Sequence, residues 1–348
     1  MSNNKLTKKG NSSVNQNFII ILAAVVLFVI FTLINPNFAS KDYLLAMTKS
    51  FTPYAMLALG VTFVIATGGI DLSIGTVCVG SAVLAGSICG TTTSASDGIL
   101  WLTIPIILVT GFVFGLLNGF LVAKCKIAPF IATLGSMLVS RGLTAVVSEA
   151  VRETSSAVKY PANCWMQSVF TNLNGFPIGL VWVLVLTIIC MIVMYKTKVG
   201  RYILAIGSNE EAARLSGINT DKYKIIAYAI CGTFAGLAAL FYTAANPSLT
   251  LAAGNGMELN AVAGVYIGGT STTGGSATII GTILGSMILV VIRNGLNLAM
   301  SSGSAVSATN ITYAVTGVIV VGAVMLDVIK KNNANKVKIE TPKKSAKK

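Results

Sequence analysis

The chain has 348 residues, of which 54% are hydrophobic and 10% are charged, and its mean hydropathy is +0.79. This composition excludes an ordinary soluble domain and places the chain in a lipid bilayer. The net charge of +14 does not indicate a nucleic-acid partner, because eleven of the 25 basic residues lie in the end segments 1–17 and 330–348. Those lysines are explained by positive-inside topology and by attraction to anionic membrane lipid.

Several kinds of reaction centre are missing from the sequence. There is no histidine, and the six cysteines form no CxxC pair, so the sequence indicates neither a metal site nor a disulfide framework. No GxxxxGK followed by Ser or Thr occurs, so another chain must hydrolyse ATP if ATP is used. We therefore expect no catalytic residue, no metal and no cofactor in this chain.

Ten segments are predicted to span the membrane as helices, because a bilayer core of about 30 Å needs about 20 apolar helical residues. Seven are strongly apolar: 18–34, 51–67, 99–123, 178–195, 225–245, 277–298 and 310–329. Three are softer and richer in Gly, Ser and Thr: 72–90, 129–148 and 258–270. The predicted fold class is all-α, a polytopic membrane protein of about ten transmembrane helices, some of them short or broken.

The charges predict which ends of the helices face the cytoplasm. A basic cytoplasmic tail (1–17), a membrane domain (18–329) and a disordered Lys-rich cytoplasmic tail (330–348) are expected in turn. The predicted inner loops are 68–71, 124–128 and 196–224, and the predicted outer loops are 91–98, 149–177 and 246–257. A cleaved signal peptide is the alternative for the first segment, but its long apolar run without a small-residue cleavage site favours a retained helix.

Two glycine-rich stretches interrupt the predicted spans, TGGIDLSIG at 67–75 and GGTSTTGG at 268–275. Non-helical backbone is tolerated at membrane depth only where protein or water covers it, so both stretches predict breaks beside a cavity or at a helix end. In the first stretch, Asp71 and Ser73 are expected to cap the following helix. The alternative for Asp71 is a direct role in a transport path.

Polar side chains within apolar spans usually face the interior of a helix bundle or a wet cavity. Those in or at the ends of the spans are Asn118, Arg141, Glu258, Arg293, Asn294 and Asn297. Asn294 and Asn297 share a helix face, and Phe130 shares a stripe with Arg141. The predicted path for a polar cargo comprises Asp71, Ser73, Asn118, Phe130, Arg141, Glu258, Asn294 and Asn297. The structural alternative is that the asparagines join helices, that Phe130 packs, and that Arg141 and Glu258 reach the headgroup region.

Residues 196–224 form a polar loop with six basic and three acidic side chains, which predicts a cytoplasmic location. Within the loop, Glu211, Ala212 and Ala213 are followed by Gly217. This spacing predicts a short helix that begins near the glutamate and ends at the glycine. Such a helix, lying parallel to the membrane, fits a groove on a soluble partner and can transmit the partner's movement to the flanking spans.

From about residue 18 to 329, the chain resembles the membrane permeases of bacterial ATP-binding-cassette (ABC) importers for monosaccharides, the ribose, galactose and xylose group. The similar stretches are TGGIDLSIG (67–75), NGFLVAKCKIAPFIATLGSMLVSRGL (118–143), GRYILAIGSNEEAARLSGINTDKYKIIAYAICGTFAGLAAL (200–240), ELNAVAGVYIGGTSTTGG (258–275) and RNGLNLAM (293–300). The segments RLSGIN and GGIDLS are most similar to the ribose permeases within that group.

The resemblance implies a type II-importer-like permease of the bacterial inner membrane that forms a homodimer around a pore. It also implies ABC ATPase subunits on the cytoplasmic side, an extracytoplasmic sugar-binding protein on the other side, and a coupling element of Glu211, Ala212, Ala213 and Gly217. The chain departs from the family pattern at Ser276-Ala277, where a basic residue and glycine are usual, and at Thr316-Gly317, where Lys-Gly is usual. These departures bear on the cargo and not on the transport class.

The expected activity is inward transport of a monosaccharide, ribose or another pentose or hexose, by alternating access. Closed ATPase subunits would push on residues 207–220 and open the pore outward, and hydrolysis would reset it inward. Two alternatives stay open for a small polar solute. A secondary carrier would need a coupling-ion site, for which the spans offer only Asp71 and Glu258. A channel would need a constriction, for which only GGTSTTGG is available.

Overall fold

The computed structural model describes residues 4–89, 97–151, 157–161 and 164–300, together with 311–312, 314–319, 321–322, 325 and 329. The predicted tail at 330–348 lies outside the described residues, as do most of loop 91–98 and parts of loop 149–177 and of span 310–329. The predicted domain boundaries and the orientation of the chain ends stay predictions.

The described residues are almost entirely helical, which confirms the all-α class. The helices are α1 (Asn4–Ile34), α2 (Lys41–Ala66), α3 (Ile74–Ile88), α4 (Asp97–Ala123), α5 (Pro129–Val151), α6 (Trp165–Phe170), α7 (Ile178–Lys196), α8 (Lys198–Ser208), α9 (Glu210–Leu215), α10 (Thr220–Ala245), α11 (Met257–Ile267) and α12 (Ile279–Met300). Strands β1 (Ala157–Lys159) and β2 (Ser248–Thr250) and the 3-10 turns Pro36–Ala39 and Leu251–Gly254 lie between them.

Among the described helices, seven are long and apolar enough to cross a bilayer, namely α1 from Asn17 onward, α2, α4, α5, α7, α10 and α12. The soft segments 72–90 and 258–270 form shorter helices, α3 with 15 residues and α11 with 11. At 1.5 Å per residue, α11 rises about 16 Å, roughly half of a bilayer core. The third soft segment, 129–148, is a full-length helix, α5, and α1 begins well before the predicted span.

The helices α2 and α10 lie at the centre of the bundle. Every residue from Phe51 to Ala66 of α2 is buried, and α10 packs along both α2 and α4. A helix that is apolar all round is typical of such a central position. In contrast, α1, α4, α5 and α7 each expose a row of large apolar side chains, as lipid contact requires.

Glycines allow α4 and α10 to approach each other closely. Gly111, Gly115 and Gly119 recur every fourth residue on α4, and a β-carbon at any of them would collide with the backbone of α10. Gly232 of α10 lies opposite, where a β-carbon would stand 2.7 Å from the Gly115 Cα. This contact between small residues is the means by which membrane helices associate in the absence of a hydrophobic driving force.

Loops predicted to share a side of the membrane lie at the same end of the bundle. We call the end of the bundle that carries residues 196–224 the loop end. There, Lys126 pairs with Asp221 at 2.7 Å, and Lys124 pairs with the same carboxylate at 3.4 Å. At the opposite end, β1 and β2 pair antiparallel, with Val158 opposite Leu249. The grouping of these loops at two opposite ends agrees with the predicted topology. The cytoplasmic location of the loop end stays a prediction.

Candidate functional site

The break between α2 and α3 carries a buried carboxylate. After α2 ends, Gly68 has a φ of 82°, and Asp71 follows with 1% of its surface exposed. Its Oδ1 accepts from the Ser73 backbone N–H at 2.9 Å and from the Ser73 hydroxyl at 2.7 Å. Ser73 precedes α3 without capping it through its side chain, so the predicted capping of the first turn is wrong. Instead, Asp71 and Ser73 close a local turn just outside the helix.

Two further helices contribute to the hydrogen bonds around Asp71. Asn118 of α4 donates to Asp71 Oδ2 at 3.3 Å and to Ser73 Oγ at 2.9 Å. Ser136 of α5 donates to the Asn118 side-chain carbonyl. We call Asp71, Ser73, Asn118 and Ser136 the polar cluster. A buried carboxylate is costly unless donors surround it, so the polar cluster ties the break to α4 and α5.

A polar cavity of about 300 Å³ lies between α2, α10 and α12. A neighbouring cavity of about 200 Å³ shares four of its lining residues: Tyr54, Tyr242, Arg293 and Asn297. We call the two together the outer cavity. Asn246, which caps the end of α10, is among the lining residues, so the outer cavity lies at the end of the bundle away from the loop end.

Arg293 and Tyr54 occupy the centre of the outer cavity. Arg293 donates to the Tyr54 hydroxyl, and its guanidinium carbon lies 5.3 Å from the ring centroid. Asn294 is held locally, since its amide donates to the Val290 carbonyl at 2.8 Å. Arg293 is not part of the predicted path. Its position beside Asn294 and Asn297 is the sequence signal that could have added it. No sequence signal marks Tyr54, which is 239 residues away.

Arg141 and Glu258 lie near the start of α11. Arg141 donates to the side-chain carbonyl of Asn255. Glu258 Oε1 accepts from the Gly256 N–H at 3.1 Å, and its Oε2 is buried with no hydrogen-bond partner among the described residues. A β-carbon at Gly75 would overlap Glu258. Glu258 therefore packs against the start of α3 instead of extending freely toward headgroups.

Phe130 lies apart from the other predicted path residues. Its side chain is 56% exposed on the face of α5 that points away from the bundle, and it does not line the outer cavity. The structure thus brings Asp71, Ser73 and Asn118 together in one place and Asn294 and Asn297 in another. Whether a cargo passes either place stays a prediction.

The short helix predicted in the polar loop is α9. Asn209 caps its start by accepting from the Ala212 N–H at 2.9 Å. At its end, Gly217 has a φ of 81°, and its N–H donates to the Arg214 carbonyl at 3.0 Å. The Ile218 N–H donates to the Ala213 carbonyl at 3.1 Å. This pair of bonds is the Schellman motif, which prefers glycine at the left-handed position.

One side of α9 is fixed to the bundle and the other is exposed. Glu210 pairs with Lys224 of α10 at 2.6 Å, and Ala213 is buried. Glu211 and Ala212 are exposed, and the Leu215 side chain is 82% exposed. A rigid helix that presents a large apolar side chain beside small and acidic residues is suited to contact with another protein.

Glycines connect the polar loop with both breaks in the membrane helices. Gly207 of α8 lies against the Ala66 carbonyl, which accepts from the Gly275 N–H at 3.0 Å. A β-carbon at Gly274 would stand 2.5 Å from the backbone nitrogen of Gly68. We call Gly68, Gly207, Gly274 and Gly275 the glycine junction. Through it, movement of α8 and α9 would reach residues 67–73 and the loop before α12 by direct backbone contact.

Known proteins resemble this chain over most of its length. Residues 43–326 match the family described as branched-chain amino acid transport system / permease component. The ribose import permease protein of Haemophilus influenzae is 36% identical over 80% of this chain and 84% of its own length. That of Bacillus subtilis is 36% identical over 88% and 91%. The fructose import permease protein FruF of Bifidobacterium longum is 33% identical over 86% and 85%. No solved structure gives a significant match.

Proposed function

We propose that this chain, which belongs to the permease-component family of branched-chain amino acid transport systems, is the membrane permease of an ATP-driven importer for a monosaccharide, with ribose as the first candidate. The chain is a multi-pass protein of the inner membrane, and a separate ABC ATPase hydrolyses the ATP. One observation supports the coupled mechanism above all: α9 is capped at both ends, fixed on one side and exposed on the other. A sugar-binding protein delivers the cargo at the opposite end.

The loop end would face the cytoplasm and receive the ATPase. The exposed face of α9 fits a groove on that subunit, and the ion pair between Glu210 and Lys224 carries its displacement into α10. The glycine junction would carry the same displacement into residues 67–73, where the polar cluster begins. Alternating access needs two helix arrangements of similar energy, and broken helices at these positions make such an exchange feasible.

Substitutions in α9 should separate ATP hydrolysis from uptake. Glu211→Lys reverses an exposed charge, and Gly217→Val places a β-branched residue at a positive φ. We expect each to lower ATP-driven ribose uptake by about tenfold or more in proteoliposomes while the protein still inserts. Uptake and ATP turnover are measured on the same vesicles.

Two milder substitutions serve as matched controls. Glu211→Gln keeps the shape of the side chain, and Gly217→Asn keeps a residue that tolerates the left-handed conformation. Both should retain more uptake than the paired change at the same position. If Glu211→Lys and Gly217→Val leave uptake and its coupling unchanged, α9 is not the ATPase contact.

The second copy of the permease would pack against α5. Gly135 and Gly142 lie two turns apart on its exposed face, and a β-carbon at either would meet nothing within 4 Å. The glycines of α4, α10 and α12, in contrast, lie against neighbouring segments. Small residues at a membrane helix surface favour close helix association and provide little lipid contact.

Cysteine cross-linking tests this contact. In a variant with the exposed Cys125 changed to Ser, Leu138→Cys should form a disulfide with its own copy in membranes, because a two-fold axis brings equivalent residues together. Leu22→Cys on α1 is similarly exposed to the surroundings and is the control. Cross-linking at position 22 without cross-linking at position 138 would place the dimer interface elsewhere.

A further inference from the structure

The outer cavity has the size and enclosure of a small-molecule site. Its two parts, of about 300 and 200 Å³, meet around Tyr54, Tyr242, Arg293 and Asn297. Ligand pockets in proteins start at about 300 Å³, so a single sugar ring is an appropriate occupant. Residues of α2, α10 and α12 line both parts, and the smaller part is also lined by Ala252, Ala253, Asn255, Asn260, Thr312 and Thr316. All of these residues belong to one chain, so the site would not need the second copy.

The lining of the outer cavity matches the chemistry of a polyol. Its amides are Asn246, Asn255, Asn260, Asn294 and Asn297. An amide side chain can donate and accept, as a sugar hydroxyl does. The amides of Asn246, Asn260 and Asn294 each donate to the carbonyl four residues earlier, and Asn255 accepts from Arg141. Among the described residues, Asn297 is the lining amide whose side chain makes no such bond. Tyr242 adds a half-buried aromatic ring, whose face suits the apolar face of a sugar, whereas the Tyr54 ring lies against Arg293. This combination of amides and rings distinguishes the outer cavity from the apolar surface between α4 and α10.

The charges in the lining restrict the ligand further. Lys49 and Arg293 line the outer cavity, and no Asp or Glu is among its described lining residues. A cationic solute would therefore be repelled. Arg293 is oriented by its bond to the Tyr54 hydroxyl and by the ring beneath it.

We propose that the outer cavity is a binding site for one neutral monosaccharide within each protomer, with Asn297 as a hydrogen-bonding residue and Tyr242 as the ring contact. The site would receive the sugar from the binding protein before the polar cluster rearranges. This inference rests on the proposed function, because it assigns the cargo of the importer to a place in the membrane domain.

Thiol protection tests the site without depending on transport. In the intact permease, Ser50→Cys, at a lining position with no assigned part in binding, is reacted with a maleimide with and without D-ribose at millimolar concentration. We expect ribose to slow labelling at position 50 by about threefold or more at saturation. The exposed native Cys125 at the loop end is the internal control, and its labelling should not change. Equal labelling at position 50 with and without ribose overturns the proposal, as does stronger protection by ribose 5-phosphate than by ribose.

A second variant separates failure of the site from failure of the proposed function. Asn297→Ala in the reconstituted importer should reduce ribose uptake by about tenfold while ATP hydrolysis stimulated by the binding protein continues. Thr48→Ala is the matched control on α2, since its hydroxyl bonds to the Leu45 carbonyl of its own helix and does not line the outer cavity. Normal uptake in Asn297→Ala overturns the site alone, whereas absence of ATP-driven sugar uptake in the unaltered protein overturns the function.

Discussion

Replacing Gly207 by alanine should reduce ATP-driven uptake by about a hundredfold, the largest effect we expect from a single methyl group in this chain. The added β-carbon would overlap the Ala66 carbonyl oxygen and the Gly275 backbone nitrogen. These are the two atoms whose hydrogen bond joins the end of α2 to the loop before α12. The backbone at Ala66 or at Gly275 would have to shift, and either shift would move the break between α2 and α3 that carries Asp71.

The measurement is ribose uptake and ATP hydrolysis in proteoliposomes at equal permease content. Gly317→Ala is the matched control, because it adds the same methyl group to a helical glycine where a β-carbon would meet nothing within 4 Å. Gly68→Ala is a second variant at the glycine junction, since it places a β-carbon 3.3 Å from the Thr273 carbonyl and forces alanine to a φ of 82°. Coupled uptake at the normal rate in Gly207→Ala would show that the glycine junction does not transmit movement.

Asp71→Ala should destabilise the folded protein and abolish uptake. Removing the carboxylate leaves buried donors on Ser73 and Asn118 without their acceptor, at a cost of about 1–3 kcal/mol for each group. Asp71→Asn keeps the size of the side chain but adds donors where acceptors are needed. We expect a smaller loss of stability and a comparable loss of uptake, because the break is no longer anchored to α4.

A double-mutant cycle tests whether the hydrogen bonds of the polar cluster account for the loss of stability in Asp71→Ala. Asp71→Ala combined with Asn118→Ala should deviate from additivity by about 0.5–3 kcal/mol in the free energy of unfolding in detergent. The control pair is Asp71→Ala with Thr103→Ala, a buried hydroxyl that bonds within its own helix, and it should be additive to within about 0.5 kcal/mol. Additive behaviour of both pairs would refute the assignment of the hydrogen-bonded cluster.

The sequence predicts features that depend on local pattern. Each of the ten predicted spans corresponds to a described helix, except that 310–329 is described only in part. The short helices α3 and α11 fall where Gly, Ser and Thr weaken the apolar run, and the end of α9 falls at Gly217 because that position needs a positive φ.

Contacts between distant segments could not be predicted in this way. Asp71 meets Asn118 over 47 residues and Arg293 meets Tyr54 over 239, so neither pair leaves a trace in local spacing. The predicted capping of the first turn of α3 was wrong, because the Ser73 side chain makes no cap bond and Asp71 accepts from the Ser73 N–H just before the helix. A carboxylate before a helix ordinarily serves that helix, but here α4 and the turn at Ser73 offer it better donors. The outer cavity, with Tyr54 and Tyr242 in its lining, forms only where α2, α10 and α12 approach one another.

The central claim is that ATP hydrolysis by a separate chain moves a sugar through this permease. The most direct measurement is accumulation of labelled ribose in proteoliposomes that contain the permease, its ATPase and its binding protein. We expect ribose to accumulate against its gradient only when ATP is supplied, and accumulation to persist after proton and sodium gradients are dissipated. Uptake by the permease alone, driven by an ion gradient and indifferent to ATP, would contradict the account.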